Sequence, residues 1–275
     1  MGKQRASTFR AGILRERTSI ESEQNRMIRD FAALSWPDVA GDLSRNIPAI
    51  LPVGAIEQHG AHLPLTVDRD LAEGVARAIA ERTGAFLLPA CGYGETWSSE
   101  AFPGTLSISP ETLRAMIQDI GRGLIGMGIP ALITLNGHFG NSGPIALAAR
   151  TLLSEGLPVL HLDYPGLEPL AGKICTSKPA GPGFYHADEV ETSMMLALRP
   201  EAVQMDRATP EYPDFPPTFG QEPFQLREIS ESGVFGDPRA ATAEKGRMLI
   251  HGIADAAVPL IDAFLTRHGL TTTQG

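Results

Sequence analysis

Short apolar segments alternate with helical patterns through the middle of the chain, and this alternation permits few folds. Four short, mainly apolar segments lie at 47–54, 85–90, 130–135 and 157–162, and the first of them is apolar on both sides of an extended chain. Helical patterns separate them, at 70–82, 110–127 and 144–155. Strand–helix–strand units of this length pair as parallel strands with right-handed connections. The sequence therefore predicts an α/β fold whose mostly parallel sheet has helices on both faces.

The flanking segments set the predicted domain boundaries. An N-terminal arm and helix are predicted over 1–44, with the helix at 21–34, and a flexible tail over 266–275. A single α/β domain is predicted between them, over 45–265, because no shift in composition marks a second domain. Its second half contains predicted helices at 187–198 and 240–264, a loop-rich connection at 163–186, and a Pro-rich segment at 209–223. We expect that last segment to be a surface excursion or an arm packed on a neighbour.

The bulk composition excludes several classes of partner. The formal net charge of −9 argues against a nucleic-acid-binding surface, which needs clustered Lys and Arg. Two cysteines are too few for a disulfide framework, and they favour a reduced, cytoplasmic protein. No uninterrupted apolar stretch approaches the roughly 20 residues that span a bilayer, so no membrane partner is expected.

Side chains that bind metals are concentrated just after the first apolar segment. Glu57, His59, His62 and Asp68 follow one another closely, and alternate residues of an extended chain point to the same side. Carboxylate oxygens and imidazole nitrogens are ligands for Zn, Mn or Fe. A turn that caps the next helix explains the pattern equally well, with Asp68 as the cap.

Two further polar clusters follow later elements. His138 and Asn141 lie in a Gly-rich turn after the third apolar segment. Three interpretations fit this turn: His138 is a metal ligand, His138 caps the turn, or the turn belongs to a phosphate-binding loop. His186, Asp188 and Glu191 stand at a predicted helix start, where Asp188 with Glu191 also fits a capping box. In open α/β sheets ligands bind beyond the carboxyl ends of the strands, so these clusters predict one shared site.

Five segments together resemble the creatininase family of metal-dependent hydrolases. They are Pro52-Val-Gly-Ala-Ile-Glu57-Gln-His59-Gly-Ala-His62-Leu-Pro-Leu-Thr-Val-Asp68, Phe102-Pro-Gly-Thr105, Asn136-Gly-His138-Phe-Gly-Asn141, His186-Ala-Asp-Glu-Val-Glu191, and the C-terminal pattern from Gly233 to Gly246. The resemblance covers roughly residues 45 to 260. It implies a three-layer α/β/α fold, a dinuclear metal site and often a hexamer, so a homo-oligomer is expected.

The resemblance also implies a ligand set. It places Glu57, His59, Asp68 and His138 on two divalent ions, Zn, Mn or Fe, with Asp68 as the bridging carboxylate. Creatininase has a Glu at the position of Gly140, so Glu191 is expected as the substitute fifth ligand. Creatininase has a catalytic Glu where this chain has Tyr185, and many relatives have a His within the stretch that is here Trp97-Ser-Ser-Glu100-Ala. These departures argue against creatinine itself as the substrate.

The expected reaction is hydrolysis of a C–N bond in a small cyclic or related amide by a metal-bridging hydroxide. His186 and Glu191 are the expected catalytic residues, with His186 moving a proton to the leaving nitrogen and backbone N–H groups of 137–141 binding the oxyanion. The residues expected to contact the small-molecule substrate are Trp97, Phe102, Asn141 and Tyr185, although Trp97 and Phe102 fit core packing equally well. The alternatives are ring opening of a cyclitol ketone of the 3-dehydro-scyllo-inosose type, a non-catalytic protein that binds a nucleotide or small molecule, and a structural oligomer.

Overall fold

A five-stranded parallel sheet organises the protein, whose computed structural model describes residues 28–181 and 183–270. The strands are β1 (Arg29–Asp30), β2 (Ala49–Val53), β3 (Phe86–Leu87), β4 (Leu132–Asn136) and β5 (Val159–Leu162). Their order across the sheet is β1-β3-β2-β4-β5, and each neighbouring pair is parallel. The longest ladder pairs all five residues of β2 with β4, so both strands end at the same edge.

Helices cover both faces of this sheet. They are α1 (Trp36–Asp42), α2 (Val67–Thr83), α3 (Pro110–Met127), α4 (Ser142–Ser154), α5 (Leu167–Ile174), α6 (Glu189–Leu198) and α7 (Ala243–Arg267). One buried apolar cluster joins the sheet to α2, α6 and α7, and includes Leu71, Met194 and Ile253. A second cluster joins the other face to α3 and α4 through Leu113 and Leu152. The predicted three-layer α/β/α fold is confirmed.

Local sequence signals explain where the clearest helix begins and ends. The Ser109 hydroxyl accepts a hydrogen bond from Thr112 N–H, and Pro110 occupies the first position of α3. Gly128 ends that helix with a φ of 78°, a left-handed conformation that glycine adopts without a steric penalty. Helix α3 therefore begins and ends where the sequence predicted, at 110 and 127.

The predicted helix at 21–34 is wrong in its described part. Arg29 and Asp30 form an edge strand beside β3, and a turn follows. The apolar residues that suggested a helix pack individually instead, as Phe31 does edge-on against Phe86 with 5.3 Å between ring centroids. Residues 21–27 lie outside the described range. The sheet therefore begins upstream of the predicted boundary at residue 45.

Two other boundaries differ from prediction. Helix α5 lies within the segment predicted as a loop-rich connection, and it packs against α7. Helix α7 continues to Arg267, so the first residues of the predicted tail are helical. Residues 271–275 lie outside the described range.

The Pro-rich segment packs on its own chain. Phe215 and Phe219 contact Phe184 with ring centroids 5.5 and 6.0 Å apart, and Glu211 pairs with Gly236. This supports a surface excursion and removes the reason to assign the segment to a neighbour.

Helix α7 is long and apolar enough, by length and composition, to span a membrane. The expectation that no segment reaches this length is therefore wrong for α7. The core helix of a globular protein passes the same test, and α7 packs against α2 and α6 through buried residues such as Leu249, Ile253 and Ala257. Its apolar face is thus already occupied by the core.

Candidate metal centre

Five side chains that can bind metals meet where β2 and β4 end. Glu57 and His59 follow β2, Asp68 is the second residue of α2, His138 follows β4, and Glu191 lies in the first turn of α6. Glu57, His59, Asp68 and Glu191 are buried, and the His138 side chain is nearly so. The strand-end convergence predicted from the sequence is therefore present.

Asp68 lies at the centre of this cluster. Its Oδ1 is 3.1 Å from His59 Nε2, and its Oδ2 is 3.2 Å from His138 Nδ1. Glu57 Oε2 lies 3.0 Å from the same His138 atom, and Glu191 Oε2 lies 3.5 Å from His59 Nε2. Two groups of three ligands result, Glu57–Asp68–His138 and His59–Asp68–Glu191, and they share Asp68.

This arrangement fits divalent ions. His59 Nε2 and Asp68 Oδ2 are buried, and neither makes a hydrogen bond to any residue that the structure describes. Buried polar atoms without a partner are rare in proteins and need an explanation. Atoms bound to one ion at about 2.0–2.2 Å lie roughly 3 to 3.5 Å from each other, which matches the contacts around Asp68. Mixed oxygen and nitrogen ligands suit Zn, Mn or Fe.

The pKa shifts in this cluster indicate that bound cations would replace protons on the two histidines. Burial opposes charge on His59, but Asp68 and Glu191 outweigh it and raise its pKa to about 10. The pKa of His138 is also raised well above its usual value, because Glu57 and Asp68 outweigh the effect of burial. Burial raises the pKa of Glu191 to about 8, although the neighbouring His59 partly offsets this. Without metal, protons on the two histidines balance the carboxylates, and bound cations would take their place.

Hydrogen bonds outside the cluster orient the two histidines. His59 Nδ1 lies 3.1 Å from the Glu57 carbonyl, and His138 Nε2 lies 2.8 Å from the Glu95 carbonyl. A carbonyl can only accept, so each ring carries its proton there and turns its other nitrogen toward Asp68. The Glu95 contact was not predicted, because a backbone carbonyl leaves no residue-type signal.

Sequence reasoning also missed Ser99. Its buried hydroxyl donates to Glu57 Oε1, the carboxylate oxygen that does not face His138. Ser99 lies within the stretch that departs from the family pattern, and a serine there gave no chemical signal. Its contact makes Ser99 part of the support around the cluster.

His186 stands next to the cluster. Its ring is 4.3 Å from that of His59, and one of its nitrogens forms a third possible metal-binding group with Glu57 and His59. Burial, with the nearby His59, lowers its pKa to about 4, so the ring is neutral near pH 7. Its catalytic role stays a prediction, now with a position beside the candidate ligands.

The other polar groups of the same helix start have structural roles. Asp188 caps α6 by accepting from the N–H groups of Val190 and Glu191, at 2.9 and 3.2 Å. Glu189 is fully buried and binds Lys245, 2.5 Å away. The capping interpretation is therefore correct for Asp188, while Glu191 turns toward His59.

Asn141 was predicted to contact substrate, and the structure contradicts this. It is fully buried, donates to the Gly54 carbonyl at 3.0 Å and accepts from Glu95 N–H at 2.9 Å. Its amide joins the loops after three strands, and its second N–H donates to Asn136 Oδ1 at 3.2 Å, so both amide protons are used within the buried core. The Gly137, His138 and Asn141 N–H groups also donate within the protein, so these three cannot bind an oxyanion.

The three aromatic residues predicted to contact substrate lie in different environments. Phe102 is buried against Leu226 and Phe235, so the core-packing interpretation is correct for it. Tyr185 lines a separate cavity of about 300 Å³ with Cys175 and Asp188, and no candidate metal ligand lines that cavity. Trp97 is 41% exposed and its backbone N–H donates to Glu95 Oε1 at 3.2 Å, so its contact with a substrate stays a prediction.

His62 is not in any of the metal-binding groups. Its Nε2 lies 3.0 Å from the Thr192 hydroxyl, and burial lowers its pKa to about 4. These contacts favour a structural role for His62 over metal binding.

Gly140 has no space for the carboxylate that creatininase has at this position. A Cβ atom there would lie 2.2 Å from the Glu95 carbonyl oxygen and 2.7 Å from Glu95 Oε2. The loop containing Glu95 occupies that space, and the third carboxylate of the cluster, beside Glu57 and Asp68, is Glu191 on α6.

Comparison with known proteins gives a consistent result. The family model described as creatinine amidohydrolase matches residues 32–261. A creatinine amidohydrolase of Pseudomonas putida is 34% identical over 226 residues, which are 75% of this chain and 87% of that protein. A mycofactocin precursor peptide peptidase of Mycobacterium ulcerans is 32% identical, with 82% and 85% covered. A 3-dehydro-scyllo-inosose hydrolase of Thermotoga maritima is 27% identical, with 86% and 84% covered.

Solved structures agree with the sequence comparison. A structure named "Creatininase Mn" has a TM-score of 0.76 at 29% identity, and covers 86% of this chain and 98% of its own. A mutant creatininase of Zn-Zn type has a TM-score of 0.78 at the same identity and the same coverage. The fold, the shared carboxylate and the sequence matches thus point to one family.

Proposed function

This chain belongs to the creatininase family of metal-dependent hydrolases, and on that premise we propose that it hydrolyses a C–N bond of a small cyclic or related amide. The observation that carries the proposal is the position of Asp68, with one oxygen facing His59 and the other facing His138. A carboxylate shared in this way supports two cations side by side. The relatives that act on creatinine and on a precursor peptide both have amide C–N bonds in their substrates.

Two divalent ions per chain, Zn, Mn or Fe, are part of the proposal. Glu57, Asp68 and His138 would hold one, and His59, Asp68 and Glu191 the other. When bound, such ions lower the pKa of water and polarise a carbonyl group.

The protein's own residues prepare the site for this chemistry. The carbonyls of Glu57 and Glu95 fix the rings of His59 and His138, so that both face Asp68 before a ligand arrives. The burial of the carboxylates removes competing water and strengthens their electrostatic effect. Among the predicted catalytic residues, Glu191 would act as a ligand, and His186 lies close enough to contact a bound substrate.

A substrate screen tests the proposal. Protein loaded with Zn²⁺ or Mn²⁺ would be assayed with creatinine, other small cyclic amides, formamides, a short peptide and a cyclitol ketone. We expect hydrolysis of an amide, lost in Asp68→Asn and retained in Glu73→Gln, since Glu73 lies on the same helix outside the cluster. Turnover of the ketone alone would favour the runner-up activity, for which the Thermotoga maritima relative is the support.

Metal analysis separates this enzyme from a non-catalytic binding protein. We expect close to two ions per chain in protein purified without chelator. Clearly substoichiometric metal, with ligand binding intact in Glu57→Gln and His138→Ala, would favour the binding protein.

A homo-oligomer, as a hexamer, and a cytoplasmic location complete the proposal. The support for assembly is the family membership, and the support for location is the low cysteine count, with Cys91 and Cys175 both free thiols. Sedimentation analysis gives the mass in solution.

A further inference from the structure

Two backbone groups hold the side-chain amide of Gln58 in one orientation. Its Oε1 accepts from Gly60 N–H at 3.0 Å, and its Nε2 donates to the Gly233 carbonyl at 3.1 Å. Rotating the amide by half a turn would set two acceptors against each other at Gly233 and two donors at Gly60. The contacts therefore decide which end is nitrogen.

The same amide nitrogen faces His186. Gln58 Nε2 lies 2.7 Å from His186 Nε2, and both side chains are buried. An amide nitrogen donates and does not accept, so His186 Nε2 must be the acceptor. The ring proton is then on Nδ1, which makes no hydrogen bond within the described residues.

The absence of a side chain at Gly233 makes this contact possible. Gly233 has a φ of 77°, and a Cβ there would lie 1.8 Å from Gln58 Oε1. Next to it, Phe235 N–H donates to the His186 carbonyl at 3.0 Å, so the segment that fixes Gln58 also fixes the backbone of His186. Gln58, Gly233 and His186 thus form one rigid unit beside the candidate ligands.

We propose that Gln58 locks His186 as the Nδ1–H tautomer, and that His186 is a neutral hydrogen-bond donor to the substrate rather than a proton shuttle. With Nε2 occupied by the Gln58 N–H and Nδ1 already protonated, the ring has no free position to accept a proton. The group that it recognises is a carbonyl oxygen, or the oxyanion that forms from one. The tautomer stands on the contacts alone, whereas the donor role rests on the proposed hydrolase function.

Nitrogen NMR tests the tautomer directly. In Zn²⁺-loaded protein labelled with ¹⁵N, we expect His186 Nε2 to resonate as a bare nitrogen and Nδ1 as a protonated one. Gln58→Leu and Gly233→Ala should each shift the ring toward a mixture of tautomers, and Ser98→Ala should leave it unchanged. A protonated Nε2, or an Nδ1 shifted by a bound ion, would overturn the inference whether or not a substrate is known.

Kinetics test the donor role. The His186→Asn variant places an N–H group near the Nδ1 position but cannot transfer a proton. The His186→Ala variant has no hydrogen-bond donor there and cannot transfer a proton either. Loss of one such donor costs on the order of 10²–10³ in kcat, so His186→Ala should fall by that factor while His186→Asn stays within about tenfold of wild type. Equal losses in both variants would refute the donor role. A wild-type enzyme inactive on every amide in the screen would instead contradict the proposed function and leave the NMR result standing.

Discussion

Replacing Ser99 with alanine should weaken metal binding at one of the two proposed ion sites. The Ser99 hydroxyl donates to Glu57 Oε1, while Glu57 Oε2 faces His138. Glu57 is 2% exposed, so water cannot readily replace the lost donor. Ser99→Ala therefore leaves a buried carboxylate oxygen unpaired and lets the carboxylate rotate away from the position that suits an ion.

The size of the effect follows from this one contact. A hydrogen bond to a charged group contributes about 1.5–3 kcal/mol. Each tenfold change in affinity corresponds to about 1.4 kcal/mol, so the dissociation constant should rise roughly 10- to 100-fold. Loss of other orienting partners around metal ligands has effects of about the same size. The second proposed ion, which His59, Asp68 and Glu191 would hold, should be affected less, because the Ser99 hydroxyl bonds Glu57 and not these residues.

Competition between the protein and a Zn²⁺ chelator measures the two affinities separately. Ser98→Ala is the matched control, since Ser98 belongs to the same 3-10 turn and its hydroxyl does not contact Glu57. Ser99→Thr keeps a hydroxyl and should recover most of the affinity. Unchanged affinity at both sites in a folded Ser99→Ala protein would refute the reasoning.

Two further predictions concern protons and buried charge. Asp68 and Glu191 outweigh the effect of burial and raise the pKa of His59 to about 10. Zn²⁺ binding should therefore release protons, and the affinity should increase as pH rises. Calorimetry in buffers of different ionisation enthalpy measures the number of protons released. Lys245→Met should destabilise the fold by about 3 kcal/mol in urea unfolding, because it leaves the buried Glu189 carboxylate without its cation, and Lys245→Arg is the control. In the wild type burial raises the Glu189 pKa, but the Lys245 contact and the hydrogen bonds from Ser177 and Thr176 together outweigh burial and lower that pKa. The Lys245 part of this stabilisation should therefore be present near neutral pH and fade as pH falls through the lowered pKa. Stability of Lys245→Met equal to that of Lys245→Arg would contradict the charge argument.

Strands and helices were predictable wherever their own residues formed a continuous apolar run or carried local start and stop signals. The segments that became β2, β4 and β5 are apolar over at least four residues, and α3 has its cap, its proline and its terminal glycine in sequence. The region around Phe31 failed because apolar residues three apart also suit a turn whose side chains pack separately on a sheet edge. Only the pairing of Arg29 with Phe86 decides between the two, and that contact is not encoded locally.

The candidate metal ligands were predictable from the sequence, and the residues that hold them in place were not. The side chains brought together around Asp68 are the five predicted ones, because histidines and carboxylates at strand ends carry a chemical signal. Ser99 and Gln58 carry none, and their partners Glu57 and His186 lie 42 and 128 positions away in sequence. Asn141 shows the opposite error: it is polar and lies in the right loop, but it is fully buried and its amide connects neighbouring loops instead of facing a substrate.

Gly140 connects these observations to substrate choice. Creatininase supplies a carboxylate from this position, but here the Glu95 loop fills the space and its carbonyl orients His138. Glu191 on α6 lies 3.5 Å from His59, and as the proposed fifth ligand it would keep the number of carboxylates while approaching the ions from another direction. The Glu95 carboxylate lies beside Gly140, where a Cβ atom would be 2.7 Å from its Oε2. Because the ions can remain the same while the surface next to them differs, we expect this enzyme to share the amide chemistry of creatininase and to prefer a different amide.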